Sequence, residues 1–308
     1  MRYRISSMRC LKGLTLGILL VSLPWITASA QVTGQIIVVK SSDNSYFDET
    51  IATLENHVAP ASRIKLVVAQ ELGNDSIDLH PQNLLVALGQ SAVETINRLN
   101  PGASSINAYL TLEQYNNLDI DHQITVLLDQ PMHRYLAFSR LMLGVDSIGV
   151  IDDSEIDLIA RAAITLDEFE LTLNRYRLDS ENKLLPVLRE LLQHNDALLM
   201  LPRESIYNRD TVKGVLLASY RSRKPVISYS PAHVRSGAVA SIYSSPIDIG
   251  RHLAMLINQA LKKKPGNGTP FQFARFYSIT TNPRIATALG IKLPAEQNLR
   301  SVLDKLGQ

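Results

Sequence analysis

The sequence predicts an α/β protein built on two mostly parallel β-sheets. Short apolar segments alternate with amphipathic segments along almost the whole chain, which is typical of strands connected by helices. These segments are continuously apolar, which indicates strands buried on both faces. We count about five strands before residue 129 and about four between residues 146 and 229. This number fits two sheets better than one, with the boundary at Asp129–Arg134, DQPMHR.

The predicted strands are separated by segments with helical periodicity. The strands are Gln35–Val39, Ile64–Ala69, Leu84–Gly89, Ile106–Leu110, Ile124–Leu128, Ile148–Ile151, Leu171–Tyr176, Ala197–Leu201 and Pro225–Tyr229. Helices are predicted through Phe47–Leu54, Val93–Leu99, Tyr135–Leu141, Ile156–Leu166 and Arg209–Arg221. Pro186 falls in the first turn of a further helix, where its missing N–H breaks no hydrogen bond. The last long helix is expected at Pro246–Leu261, where apolar residues recur at helical spacing.

The first 30 residues have the three parts of a cleaved secretory signal. Four basic residues come first, an apolar segment follows at Leu14–Ile26, and Ala28–Ala30 form a small-residue cleavage pattern. A retained membrane anchor is the alternative, but polar residues and a proline interrupt the apolar segment, which such an anchor tolerates poorly. We therefore expect signal cleavage and a soluble exported protein that begins near Gln31.

Charge and cysteine content narrow the class of protein. Residues 31–308 contain 27 basic and 29 acidic residues, so the basic excess of the whole chain belongs to the predicted signal. This balance argues against a nucleic-acid-binding surface. Cys10 is the only cysteine, so the mature chain is expected to contain no disulfide and to depend on an ordinary hydrophobic core.

Enzyme motifs are absent from the sequence. There is no GxSxG nucleophile motif and no glycine-rich phosphate loop after a strand. The seven histidines include no i, i+4 pair and have no cysteine companions, although a metal site built from distant histidines stays open. Asp152 and Asp153 end a strand and could be a catalytic carboxylate pair, a helix cap or hydrogen-bond acceptors for a ligand. We predict no enzymatic activity, no cofactor and no metal.

Small polar, glycine or aromatic residues follow nearly every predicted strand. Ligands bind beyond the carboxyl ends of the strands in open parallel sheets. The predicted ligand-binding residues are Ser42, Asp43, Gly89, Gln90, Ser91, Gln130, Asp152, Pro202, Tyr207, Tyr229 and Ser230. Each alone could be a loop or cap residue, and Ser91 and Asn208 are both suited to capping a helix. Because the pattern recurs in both predicted sheets, we favour a shared cleft.

One long segment carries a resemblance to a known family. Asp196–Ala254, which begins DALLMLPRESIYNRD, resembles the ABC-transporter substrate-binding proteins of the type I periplasmic kind. Its closest likeness is to the subgroup related to tryptophan- and tyrosine-type binding proteins. The segments Leu128–Leu143, LDQPMHRYLAFSRLML, and Phe276–Pro294, FYSITTNPRIATALGIKLP, fit the same subgroup.

The resemblance implies a Venus-flytrap architecture, in which two Rossmann-like lobes are joined by three crossover strands and hold a ligand between them. Mapped onto this chain, the first lobe is expected at 31–129 plus 235–264. The second is expected at 130–234 plus 265–308. Tyr229 and Ser230 would then face the cleft, and Pro231 would start the return crossover.

The predicted function is that of a periplasmic solute receptor. The resemblance implies a monomer that delivers a small ligand, such as an amino acid or a similar polar or aromatic molecule, to an ABC permease. The alternative is a ligand-sensing subunit that docks on a membrane signalling protein. An exported hydrolase is a third reading, for which the sequence offers no nucleophile–base pair.

Overall fold

The computed structural model describes residues 35–58, 64–72, 83–99, 105–120, 123–153, 163–179, 183–262 and 270–306. The predicted signal segment lies outside these residues, as does most of the helix predicted at Ile156–Leu166. Among the residues described, no helix is both long enough and apolar enough to cross a membrane.

The strands and helices alternate as predicted. The strands are β1 Ile36–Lys40, β2 Ile64–Val68, β3 Leu84–Leu88, β4 Ser105–Leu110, β5 Ile124–Leu127, β6 Ser147–Asp152, β7 Thr172–Arg177, β8 Ala197–Leu199, β9 Val226–Ser228, β10 Ala240–Tyr243, β11 Phe271–Phe273 and β12 Ser278–Thr281. The helices are α1 Ser45–His57, α2 Gln90–Leu99, α3 Leu112–Asn116, α4 Met132–Leu143, α5 Ala163–Glu168, α6 Leu184–His194, α7 Val212–Arg221, α8 Pro231–Ser236, α9 Pro246–Leu261, α10 Pro283–Ala288 and α11 Glu296–Leu306.

The described strands form two six-stranded sheets, which confirms the predicted fold class. The first sheet has the order β2-β1-β3-β4-β5-β11, and its neighbouring strands are parallel. The second has the order β7-β6-β8-β9-β10-β12, and only β12 runs antiparallel to its neighbour. Each sheet with its helices is an α/β lobe.

Both faces of each sheet are buried, as the continuously apolar strands predicted. Ile36 and Val38 of β1 pack with α1 and α9, whereas Ile37 and Val39 pack on the opposite face with α2. This division follows from the alternation of side chains along a strand. The second sheet has two apolar faces of the same kind.

Three connections join the lobes, and two of them differ from the predicted boundaries. The first connection lies between β5 and α4. The second lies between β10 and α9, because β10 pairs with β9 and not with the first sheet. The third lies between β11 and β12, because β11 adds to β5 at the edge of the first sheet. β10 lies between β9 and β12, whereas β11 forms the edge of the first sheet, and neither position could be derived from the local spacing of their residues.

The segment after β9 also differs from the prediction. Pro231 does not start a crossover but opens the short helix α8, which leads to β10 in the same sheet. Ser230 is the N-cap of this helix, and its side chain accepts a hydrogen bond from the Ala232 N–H at 3.2 Å. Proline at the first helical position and serine at the N-cap are a favourable start for a helix, which explains why α8 forms here.

Candidate functional site

Two cavities lie at the carboxyl ends of the strands. The larger has a volume of about 1050 Å³ and the smaller of about 320 Å³, and Pro202 lines both. Thr111, which follows β4 of the first lobe, lines the larger cavity together with second-lobe residues. Leu112 and Phe273 of the first lobe line the smaller one. The candidate site is therefore a cleft with walls from both lobes.

The larger cavity has aromatic and charged walls. Tyr207 and Tyr229 line it beside Glu204, Asn208, Arg209, Asp210, Lys213 and His233. The Tyr229 hydroxyl donates a hydrogen bond to the Tyr207 carbonyl at 3.3 Å, and its ring stacks edge-on against His233 at 4.9 Å. Burial raises the pKa of Tyr229 to about 12, so this hydroxyl stays protonated at neutral pH. These groups offer a ring face and hydrogen bonds to a small molecule.

The smaller cavity contains a buried guanidinium. The Arg203 side chain is 3% exposed, and its Nε donates to Asp152 Oδ1 at 2.8 Å. The other Asp152 oxygen pairs with Arg175 Nη2 at 2.7 Å. Asp152 is fully buried, so this geometry does not support a direct contact between its carboxylate and a ligand. The Asp152 carboxylate instead holds Arg203 in the wall of the cavity. Arg203 was not among the ligand-binding residues predicted from the sequence.

Asp129 lies in the wall of the same cavity. It lies in the connection that follows β5, and its Oδ2 accepts a hydrogen bond from the Leu112 N–H at 2.7 Å. Burial raises the pKa of this carboxyl to about 6, against the smaller opposing effects of the Leu112 hydrogen bond and the Arg203 charge. The smaller cavity thus presents both a carboxyl group and a guanidinium.

The residues predicted to bind ligand in the first lobe lie at the carboxyl ends of its strands. They do not line either of these two cavities. Ser42 is exposed, and Asp43 is exposed and ion-paired with Lys40 Nζ at 2.7 Å. The neighbouring Ser41, which was not selected, accepts a hydrogen bond from the Ala92 N–H at 3.0 Å and so turns toward the start of α2.

Glycine is required beside Ser41. Gly89 has a φ of +90°, and a Cβ at this position would lie 2.6 Å from Ser41 Oγ. Gln90 and Ser91 follow in the first turn of α2 and are exposed. Ser91 lies within the helix and is not its cap.

Gln90 is linked to the cleft wall by a chain of hydrogen bonds. Its Oε1 accepts from Gln114 Nε2 at 3.0 Å. Gln114 in turn forms a capping box with Thr111, which lines the larger cavity. Gln90 is thus one residue removed from the wall of the described cleft.

The predicted second-lobe residues divide into lining and supporting groups. Pro202, Tyr207 and Tyr229 line the larger cavity, whereas Ser230 caps α8. Gln130 lines the smaller cavity, but both ends of its amide are occupied within the connections between the lobes. Their part in ligand binding stays a prediction.

Sequence reasoning missed several lining residues. Those with side chains suited to ligand contact are Thr111, Glu204, Arg209, Asp210, Lys213, His233, Asp129 and Arg203. Half of them follow β8 within the irregular segment 201–211. A rule that takes the first residues after a strand would have found Thr111, Asp129 and Arg203 and not the others. Among the described residues, no three histidine, cysteine or acidic side chains are placed to hold a metal ion.

The fold and the cleft define a solute-binding protein of the type I periplasmic architecture. Residues 131–301 match the model of the family described as ABC transporter substrate binding protein. The match spans more than half of the chain, and the protein belongs to this family. The family is a substrate-binding one, so the class of protein agrees with the prediction of a receptor. No curated protein compared with this sequence matches it.

Solved structures share the fold at low sequence identity. The ligand-free, open structure of CD0873, a substrate binding protein with adhesive properties from Clostridium difficile, has a TM-score of 0.64 and 13% identity over 86% of this chain and 97% of the other. The ABC domain in complex with L-Trp from Streptococcus pneumonia has a TM-score of 0.54 and 19% identity over 87% and 98%. An ABC transporter solute-binding protein from Conexibacter woesei has a TM-score of 0.51 and 14% identity over 89% and 95%.

Proposed function

We propose that this protein is the periplasmic receptor of an ABC importer and binds one small polar or aromatic molecule between its lobes. The observation that carries the proposal is the pair of cavities lined from both lobes, with Tyr207 and Tyr229 in one and Asp129 and Arg203 in the other. Cavities of this size accommodate small molecules. Binding alone, without chemistry, favours the closed arrangement of the lobes when the ligand contacts both.

An amino acid is the ligand that we infer first. The protein from Streptococcus pneumonia that shares this fold was solved with L-Trp. A carboxyl group and a guanidinium in one cavity suit the ammonium and carboxylate of an amino acid, and the tyrosines supply apolar surface for its side chain.

The experiment is native mass spectrometry of protein isolated from its own periplasm, followed by calorimetric titration with the molecule released and with the common amino acids. One bound small molecule per chain is expected. Protein that carries no molecule and binds none of the amino acids would contradict the proposal. A permease and an ATPase encoded beside this gene would favour the importer over the sensing subunit.

Intact-mass analysis of the same material tests the predicted processing. The chain is expected to begin near Gln31 and to fractionate with soluble periplasmic proteins, because the first 30 residues have the order of a secretory signal. Residues 1–30 retained in a membrane fraction would contradict this prediction.

A further inference from the structure

A third cavity, of about 770 Å³, lies against the connections between the lobes. We call it the hinge cavity. His133 and Arg134 line it just after the first connection, and Ala274 to Tyr277 line it along the third. His252 of α9 contributes from the first lobe, and Asp304 of α11 from the second. The cavity therefore takes its walls from both lobes and from the segments that join them.

A buried arginine lines the hinge cavity with donor capacity to spare. Arg134 is 6% exposed, and its Nη1 donates to Gln130 Oε1 at 2.7 Å and to the Ala274 carbonyl at 3.2 Å. Its Nε is buried and has no hydrogen-bond partner. Burial lowers the pKa of Arg134, although a guanidinium remains charged at neutral pH.

Arg134 and its neighbour in the cavity wall, Arg275, have no close counter-charge. No carboxylate oxygen of the described residues lies within 4.0 Å of either guanidinium. Asp304 is the acidic residue in the lining, and its Oδ1 accepts a hydrogen bond from the Tyr277 hydroxyl at 2.6 Å. The lining thus has one more formal positive charge than negative.

Two histidines lie in the same wall, and a side-chain hydrogen bond already joins His252 to Gln272. His252 Nδ1 accepts a hydrogen bond from the Arg275 N–H at 3.2 Å, so the proton of the neutral ring lies on Nε2. His133 Nε2 is buried without a partner. Burial lowers the pKa of His252 to about 4, and the pKa of His133 is lowered by burial and by the Arg134 charge. Both rings are therefore neutral at pH 7, and an anion beside them would be favourable.

We propose that the hinge cavity binds a small oxyanion, a phosphate or carboxylate group, held by Arg134 and Arg275 beside His252. A buried guanidinium with an unused N–H is costly unless a partner satisfies it, and an oxyanion supplies charge and acceptors together. This inference does not depend on the identity of the molecule bound in the cleft.

Such a site would couple anion binding to lobe movement. His252 belongs to the first lobe and Arg134 to the second, so an anion that contacts both favours one arrangement of the lobes. By linkage, that anion then changes the affinity of the cleft for its ligand, and the ligand changes the affinity for the anion by the same factor.

The test is calorimetric titration of the purified protein with inorganic phosphate, sulfate and acetate at constant ionic strength, with sodium chloride as the salt control. Saturable binding of at least one oxyanion is expected, and the same anion should shift the ring resonances of His252 in NMR spectra. Arg275→Gln should weaken binding at least about tenfold, because it removes one of the two guanidinium groups. Arg275 is exposed, so this variant should fold.

Two control variants separate the hinge cavity from other sites. Arg221→Gln, in an exposed position of α7, should bind the anion like the wild type. Lys213→Gln removes a cation from the larger cavity of the cleft and should also leave anion binding unchanged. The proposal is overturned if no oxyanion binds, if Arg275→Gln binds as tightly as the wild type, or if Lys213→Gln and not Arg275→Gln weakens binding. None of these outcomes shows that the cleft lacks a ligand of its own, and the Lys213→Gln outcome would place the anion in the cleft.

Discussion

Tyr229 combines a place in the cleft wall with contacts to the core of its lobe. Its ring packs against both apolar clusters of the second sheet and also lines the larger cavity. Tyr229→Ala should weaken ligand binding at least tenfold, or about 1.4 kcal/mol, because an aromatic surface leaves the site. It should also lower the free energy of unfolding by about 1–3 kcal/mol, less than for a fully buried aromatic residue. Calorimetry and urea unfolding measure the two effects.

The controls for this prediction follow from the structure. Tyr220→Ala removes an exposed tyrosine of α7, in the same lobe but outside the lining of the cleft, and should leave affinity unchanged. Ser230→Ala is a poor control because Ser230 caps α8, and loss of a cap costs about 1 kcal/mol. A Tyr229→Ala protein that is less stable yet binds normally would assign Tyr229 to the core alone.

Asp129 gives the stability of the folded protein a pH dependence. Burial raises its pKa from 3.8 to about 6. The folded protein therefore holds this proton more tightly than the unfolded chain does. The resulting contribution to stability is fully present below the unfolded pKa and is lost as the pH rises through about 6. Between about pH 4.5 and about pH 7.5 the loss amounts to about 2 kcal/mol.

Comparison with Asp129→Asn isolates this effect. The asparagine keeps an oxygen that can accept from the Leu112 N–H but does not titrate. The variant should therefore gain about 2 kcal/mol relative to the wild type when urea unfolding of ligand-free protein is repeated at the higher pH. An unchanged difference between the two proteins at both pH values would show that Asp129 is ionised in the folded protein throughout.

Among the elements, helices α1 and α9 pack so closely that one position between them admits only glycine. A Cβ at Gly250 would lie 2.7 Å from the Thr50 carbonyl oxygen and 2.8 Å from Thr53 Cβ. Gly250→Ala must push the two helices apart, and such overpacking costs about 1–3 kcal/mol. The midpoint of urea unfolding should fall accordingly.

Gly214 provides the matched control in α7. No atom lies within 4 Å of a Cβ added there, and its φ is not in the left-handed region. Gly214→Ala should raise the free energy of unfolding by about 0.5–1 kcal/mol, because alanine is the better helix former. If both variants shift stability in the same direction, close packing at Gly250 is not the cause.

At the scale of the whole molecule, one hydrogen-bonded network ties the three connections together. Gln130 of the first connection donates to Ser244 Oγ of the second at 2.9 Å. Ser244 Oγ donates to the Phe276 carbonyl of the third at 2.8 Å. Arg134 reaches Gln130 and the Ala274 carbonyl from α4. This network fixes the paths of the connections relative to one another.

A double-mutant cycle measures the coupling between Gln130 and Ser244 in this network. Gln130→Ala and Ser244→Ala should each cost about 1–2 kcal/mol of unfolding free energy, because each leaves a buried partner unsatisfied. The double variant should cost less than the sum by about 0.5–1 kcal/mol, since the shared hydrogen bond is lost only once. Additive effects would show that the two side chains act independently.

The sequence by itself determined the elements and the class of the fold. The continuously apolar strands require burial on both faces, and the helical spacing of Ile249, Leu253 and Ile257 places one side of α9 in the core. Residue types also located the carboxyl ends of the strands, where Pro202, Tyr207 and Tyr229 line the cleft. These features follow from local spacing, because a strand or helix must turn its apolar residues inward wherever it packs.

The tertiary structure decided which sheet each short strand joins and which polar residue serves which role. β10 pairs with β9 and β12 in the second sheet and β11 pairs with β5 in the first, which local residue spacing does not specify, and this moved two of the lobe boundaries. Asp152 became the buried partner of Arg203 and Arg175 because residues distant in the chain converge on it. The same convergence brought Arg134 and His252 into the lining of one cavity. Such pairings depend on how the connections between the lobes cross. The spacing of residues within a single segment does not determine those paths.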